Sequence, residues 1–122
     1  MYKLELTLWE RVQLETTLPP NAPLGDIKQL LRIKDTIGLT LDEKKAIDWR
    51  IVTVETQQGA FAVPVWDGAK IDAIIDKAEF EVESEDLRKL HSLVNERRVW
   101  PTEQRTLTLK DKLDNAKEFP KK

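Results

Sequence analysis

His91 is the only histidine in a chain that contains no cysteine. An ordinary zinc site would need carboxylates to complete it, because neither a second imidazole nor a thiolate is available. As a general base, His91 would need an orienting acid or a nucleophile nearby. It follows Leu90 directly and lies beside an apolar stripe, so it is read as a packing or surface residue. The acidic series Glu79, Glu81, Glu83, Glu85 and Asp86 has the charge for a hard cation but lacks the ligand spacing and glycine-assisted turn of a calcium loop. Alternation assigns its first three members to the wet face of a strand, and the last two fit a helix start. Asp72 and Asp76 stand four apart and would share a face of a helix; nothing in the sequence separates their environments as paired acid–base chemistry requires. No phosphate-cradling glycine loop, serine elbow or metal spacing occurs, so the expectation is a non-enzyme without a cofactor or metal.

Two groups of residues point to binding instead. Arg97, Arg98, Trp100 and Arg105, with Lys110 and Lys112 beyond them, combine cations with one stacking platform, the composition of a nucleic-acid-contacting patch. Glu96, Glu103 and Asp111 interleave them, and the net charge of −2 supplies no general attraction for nucleic acid. The second group is the tryptophans, Trp9, Trp49, Trp66 and Trp100, many for 122 residues. Tryptophan serves cores and interface centres alike. Trp66 ends a strand just after Pro64, so these two are the expected partner-binding residues, on an edge that a second copy of the chain could also meet.

The elements that must position these residues begin with a phrase that occurs three times, L-T-L-W-E at 6–10, L-T-L-D-E at 39–43 and L-T-L-K-D at 107–111. In each a threonine precedes an acid by three residues. A threonine hydroxyl can accept from the third N–H of a helix while the acid reaches back to the threonine N–H. The reading is three helix N-termini, after Thr7, Thr40 and Thr108, and not a repeat array, since the spacings are unequal. The first helix should run from Leu8 to Thr17 and stop before Pro19-Pro20. The second carries Ile27, Leu30, Leu31, Ile33 and Ile37 as a stripe and ends at Gly38; a short third one ends near Trp49.

The period then changes. Arg50–Glu55 reads as a strand, Gln57-Gln58-Gly59 as a turn and Phe61–Trp66 as the return strand, which at Pro64 should lie at an edge or bend. Residues 71–76 fit a short helix or an irregular strand. Glu79–Glu83 reads as a strand with Phe80 and Val82 inward, and Ser84 as the cap of a helix that buries Leu87, Leu90 and Val94. The last helix packs Leu109 and Leu113, and the tail 119–122 frays. The expected fold is therefore α+β in a single domain, 1–122: a helical part over 6–49, a small antiparallel sheet of about three strands over 50–83, and closing helices over 84–118. No run of signal-peptide or membrane-spanning length is present, which makes the cytoplasm the expected location.

With these landmarks placed, the chain resembles a group of small proteins encoded by bacteriophages and prophages. The resemblance is carried by Leu6-Thr7-Leu8-Trp9-Glu10-Arg11 leading to Leu18-Pro19, the Ile27–Ile37 helix, Leu39-Thr40-Leu41-Asp42-Glu43, and the Phe80 strand running into the Asp86–Val94 helix. Val12-Gln13 stands where such proteins often carry leucine after the Glu-Arg pair. The resemblance implies a phage origin and life inside a bacterial cell; it brings no established activity. The expected function is a small interaction protein that binds a phage or host protein and can form a homo-oligomer. The alternative is a nucleic-acid-binding or regulatory module using Arg97–Arg105.

Overall fold

A computed structural model of the protein describes residues 2–19, 21–74 and 77–118. In chain order the elements are β1 (Tyr2–Thr7), α1 (Leu8–Thr17), α2 (Leu24–Ile37), α3 (Leu41–Ala46), β2 (Arg50–Thr56), β3 (Gly59–Val65), α4 (Gly68–Asp72), β4 (Lys77–Val82), α5 (Ser84–Glu96) and α6 (Gln104–Glu118). The class is α+β, as expected. Among the described residues the strands form two separate antiparallel pairs, β1–β4 and β2–β3, in place of one three-stranded sheet.

The strand not anticipated is β1. Tyr2, Leu4 and Leu6 alternate with Lys3 and Glu5, and pairing with β4 sets Leu4 opposite Phe80 and Leu6 opposite Ala78 on the inner face. The outer face carries Lys3 opposite Glu81 and Glu5 opposite Glu79, so the acids of β4 occupy the solvated side. Residues 68–72 settle as a helix capped by Asp67, whose carboxylate accepts from the Ala69 and Lys70 N–H groups. Asp76 and the tail 119–122 lie outside the described residues.

Two of the three threonine–acid phrases are caps. The Thr7 N–H donates to Glu10 Oε1 at 2.8 Å and the Glu10 N–H returns to Thr7 Oγ1 at 3.2 Å; Thr40 and Glu43 repeat the exchange at 2.9 and 3.1 Å. The third is not. α6 begins a full turn earlier, at Gln104, and the Thr108 hydroxyl donates to the Gln104 carbonyl inside the helix. The turn around Pro101–Glu103, where the Thr106 N–H donates to the Glu103 carbonyl, has already started the helix by then. Ser84 is likewise the first helical residue of α5 and not its cap. Glu83, still in extended backbone at the end of β4, takes the cap position without a side-chain bond. In α2 Leu31 falls off the stripe and is exposed, while Leu30, Ile33 and Ile37 are buried.

α1 organises the interior. Leu14 joins a cluster with Leu4, Leu6, Ile33, Ile37, Leu90, Leu109 and Leu113, between the β1–β4 sheet and α2, α5 and α6. Leu8, Trp9 and Val12 join Leu39, Ile47 and Ile71 in a second cluster under α3 and α4. A helix with a cluster on either side is buried all round, and its charged residues go inside with it: Glu10 is 2 % and Arg11 7 % exposed. Such burial requires partners. Glu10 accepts from Lys112 of α6 at 2.7 Å, and Arg11 donates to Glu43 and to the Ile37 and Gly38 carbonyls at the end of α2. Among the described residues no buried side-chain polar atom lacks a partner. No helix there is long and apolar enough to cross a membrane.

Candidate functional site

Among the described residues, no member of the β2–β3 hairpin belongs to either buried cluster or packs against it. Its base, by contrast, is clamped. The Asp67 N–H donates to the Ile47 carbonyl at 2.8 Å, and Asp48, with a positive φ of 56°, turns the chain into β2. Trp49 and Trp66 stack across the base with ring centroids 5.4 Å apart and planes 15° from parallel, and Lys44 lies over the Trp49 ring. Lys70 pairs with Asp48 at 2.8 Å and draws its carboxyl below the usual range, by hydrogen bonding first and charge second.

Beyond that clamp the register sorts the hairpin into two faces. Val52 sits opposite Val63, and Val54 opposite Phe61, on one face with Val65; Ile51 opposite Pro64, Thr53 opposite Ala62 and Glu55 opposite Ala60 make the other. Arg50 and Thr56 stand at the two ends of the first face and the residues between them are apolar; Phe61 is 50 % and Val54 44 % exposed toward the loop, while Val52, Val63 and Val65 nearer the base are half-buried. Gln57-Gln58 form the loop, and the positive φ falls on Gly59, at 122°, where a side chain would be strained.

The expected partner-binding residues thus frame the hairpin differently from each other. Trp66 is half-buried in the stack at its base and Pro64 lies on the β3 edge. What sequence reasoning missed is the apolar face itself. Its signal was present, as V-x-V in β2 answered by F-x-V in β3, but a hairpin covered by a helix would read the same way.

The expected nucleic-acid patch is largely spoken for internally. Arg97 donates to the Gln13 carbonyl and the Thr17 hydroxyl, lies 4.0 Å from the Trp100 ring, and has its pKa lowered by burial. Arg105 covers the Trp9 ring and pairs with Glu103 and Asp72. Arg98 is exposed and keeps no partner among the described residues. These side chains therefore do not converge on one free cationic surface.

His91 lies on α5 beside a cavity of about 540 Å³ lined by Tyr2, Ser84, Leu87, Arg88, Ser92 and Asn95 as well. Its Nε2 is 2.6 Å from Asp114 Oδ1 and its Nδ1 3.1 Å from Asn95 Nδ2. Lys110 and then His91 hold the Asp114 carboxyl below its ordinary range. An ionised carboxylate only accepts, so the ring proton belongs on Nε2 and Nδ1 accepts from the Asn95 amide. Both nitrogens are engaged, which leaves no lone pair for a general base. Asp72 faces Arg105 at 2.8 Å, and among the described residues no group of three or more histidine or acidic side chains could hold a metal ion.

A scan against protein-family models, a search of curated proteins and a search of solved structures each find no match to this chain.

Proposed function

We propose that the protein is a non-enzymatic interaction module that docks on a protein partner through the β2–β3 hairpin. The observation that carries this reading is the exposed pair Val54 and Phe61 on the apolar face of the hairpin, which continues through half-buried Val52 and Val63 toward the Trp49–Trp66 stack at the base. A two-stranded hairpin is marginal by itself in water, and adjoining apolar side chains left in solvent on one face suit docking on a partner. The engagement of both His91 nitrogens and the dispersal of Arg97 and Arg105 favour binding of a protein over chemistry or nucleic acid. The resemblance to phage and prophage proteins favours a phage or host protein in the cytoplasm of a bacterial cell as the proposed partner.

The test is a tagged pull-down from infected cells with identification of the co-purifying protein, followed by reconstitution from purified components. Wild type is compared with a Val54→Asp, Phe61→Asp double variant. The expected result is a partner retained by wild type and lost by the variant at unchanged helical content. Equal retention by both overturns the assignment to this face. Salt-sensitive binding of DNA lost on changing Arg97 and Arg98 to alanine would favour the nucleic-acid alternative instead.

A further inference from the structure

The geometry points to the outer edge of β2 as the site where a second copy of this chain adds, antiparallel and centred on Thr53; this rests on the reading of the hairpin as the docking element. In a hairpin with a two-residue loop, the pair flanking the loop exchanges both main-chain hydrogen bonds, and the pairs alternate from there. Thr56–Gly59 is that pair, so Val54–Phe61 and Val52–Val63 are bonded within the hairpin, whereas Ile51, Thr53 and Glu55 on β2, and Ala60, Ala62 and Pro64 on β3, aim their main-chain groups outward. The two edges are not equivalent. β3 presents a proline, whose ring nitrogen has no hydrogen to give, and β2 presents an unbroken row of donors and acceptors.

The β2 edge is also complementary to itself. A two-fold axis through Thr53 is the symmetric register that engages all of its outward residues, setting Ile51 against Glu55 of the second copy and Thr53 against its own equivalent. Val52 then meets Val54 of the second copy on the apolar face, and the threonine pair meets on the other, both favourable cross-strand neighbours. Arg50 and Glu55 are the charged residues of the hairpin, and in this register they face Thr56 and Ile51 of the second copy, so like charges never oppose. The product is a four-stranded sheet whose apolar face is twice as wide. A single strand pair buries less than the roughly 1,200 Å² typical of stable interfaces, so the dimer dissociates in the micromolar range.

Sedimentation equilibrium from low to high micromolar concentration should show the mass of two chains at the upper end. Thr53→Pro, which removes only an outward N–H, should weaken association by at least about tenfold, and the matched change on the other edge, Ala62→Pro, by less than about twofold. Circular dichroism checks that both variants keep the hairpin. Because the chain has no cysteine, a Thr53→Cys variant offers an independent readout. Bonded antiparallel partners lie about 5.5 Å apart at Cα, within disulfide reach, so it should cross-link on mild oxidation while Ala62→Cys does not. A wild type that stays monomeric at about 500 µM, well above the micromolar range expected for so small an interface, overturns the proposal, as do equal effects at positions 53 and 62. A monomer that still captures a partner through Val54 and Phe61 sinks the self-association alone; loss of both removes the hairpin reading as well.

Discussion

Glu43 accepts from the Thr40 N–H at 2.9 Å and from Arg11 at 2.8 Å with the same oxygen, Oε1. One carboxylate thus closes the start of α3 and anchors it to α1. Glu10 works in the same way, taking the Thr7 N–H at 2.8 Å and Lys112 at 2.7 Å through its own Oε1. At Thr7 and Thr40 the threonine–acid phrase is local capping whose acids have been recruited into tertiary links, which is why Glu10 is buried and Glu43 half-buried where exposed caps would suffice.

Arg11 is the centre of that arrangement, because it also ties down the Ile37 and Gly38 carbonyls at the end of α2. Arg11→Met keeps the aliphatic stem but strands these acceptors and Glu43. Breaking a buried pair from one side costs about 3–5 kcal/mol. A loss of that order in urea denaturation, larger than for Lys70→Met at the exposed pair with Asp48, is the expected outcome.

The three phrases should respond differently to the same substitution. Thr7→Ala and Thr40→Ala each remove a cap and should cost about 1 kcal/mol. Thr108→Ala removes a hydroxyl from the exposed interior of α6 and should fall within about 0.5 kcal/mol of wild type. Thermal unfolding of the three variants decides it, and a Thr108 cost matching the other two would return that residue to a helix start.

Gly38 is required by space and not by backbone conformation, since its φ of −67° suits any residue. A Cβ there would stand 2.3 Å from the Lys34 carbonyl oxygen and 2.9 Å from Glu15 Oε1, the oxygen that accepts from the Leu39 N–H. The backbone atom cannot step aside cheaply. Gly38→Ala should destabilise by about 1–3 kcal/mol, the range for overpacking, measurable as a lower denaturant midpoint at unchanged slope.

Asp86 and Arg32 give the fold a pH dependence. Arg32 donates to both Asp86 oxygens, and this hydrogen bonding, opposed by burial and helped by Gln29, holds the Asp86 carboxyl below its ordinary 3.8. For Glu43 burial pushes upward, but the bonds from Arg11 and Thr40 outweigh it and the net shift from 4.5 is downward. Folded values below the unfolded ones mean that this stability is complete above pH 4.5 and is lost as pH falls through the folded values. Melting temperature should therefore be level above that point and drop beneath it, with a shallower drop in Asp86→Asn. An equally steep acid limb in that variant counts against the assignment.

The proposed docking face should be free of any folding role. Phe61→Ser should cost under about 1 kcal/mol, whereas Leu14→Ala, in a fully buried site, should cost about 2–5 kcal/mol. Chemical denaturation of the two variants separates a surface kept for a partner from one kept for the core. A Phe61 loss as large as that at Leu14 would mean that the hairpin face is packed in solution.

Much of the architecture was already written in local patterns. The Thr7 and Thr40 caps, the Ile27–Ile37 periodicity, the Gln57–Gly59 turn and the alternation of Phe80 and Val82 each depend on residues a few positions apart, and hydrogen-bonding and periodicity rules act at that range. Tertiary structure alone decided the rest. β1 exists because Tyr2–Thr7 finds β4, seventy or more residues on, and no local signal names a distant partner. Leu31 is exposed, and Glu10 and Arg11 are buried, because clusters form on both sides of α1 while α2 has only one. The hairpin's apolar face is a candidate site for the same reason. Alternation announces that a face is apolar, but whether another element covers it is a property of the assembled chain.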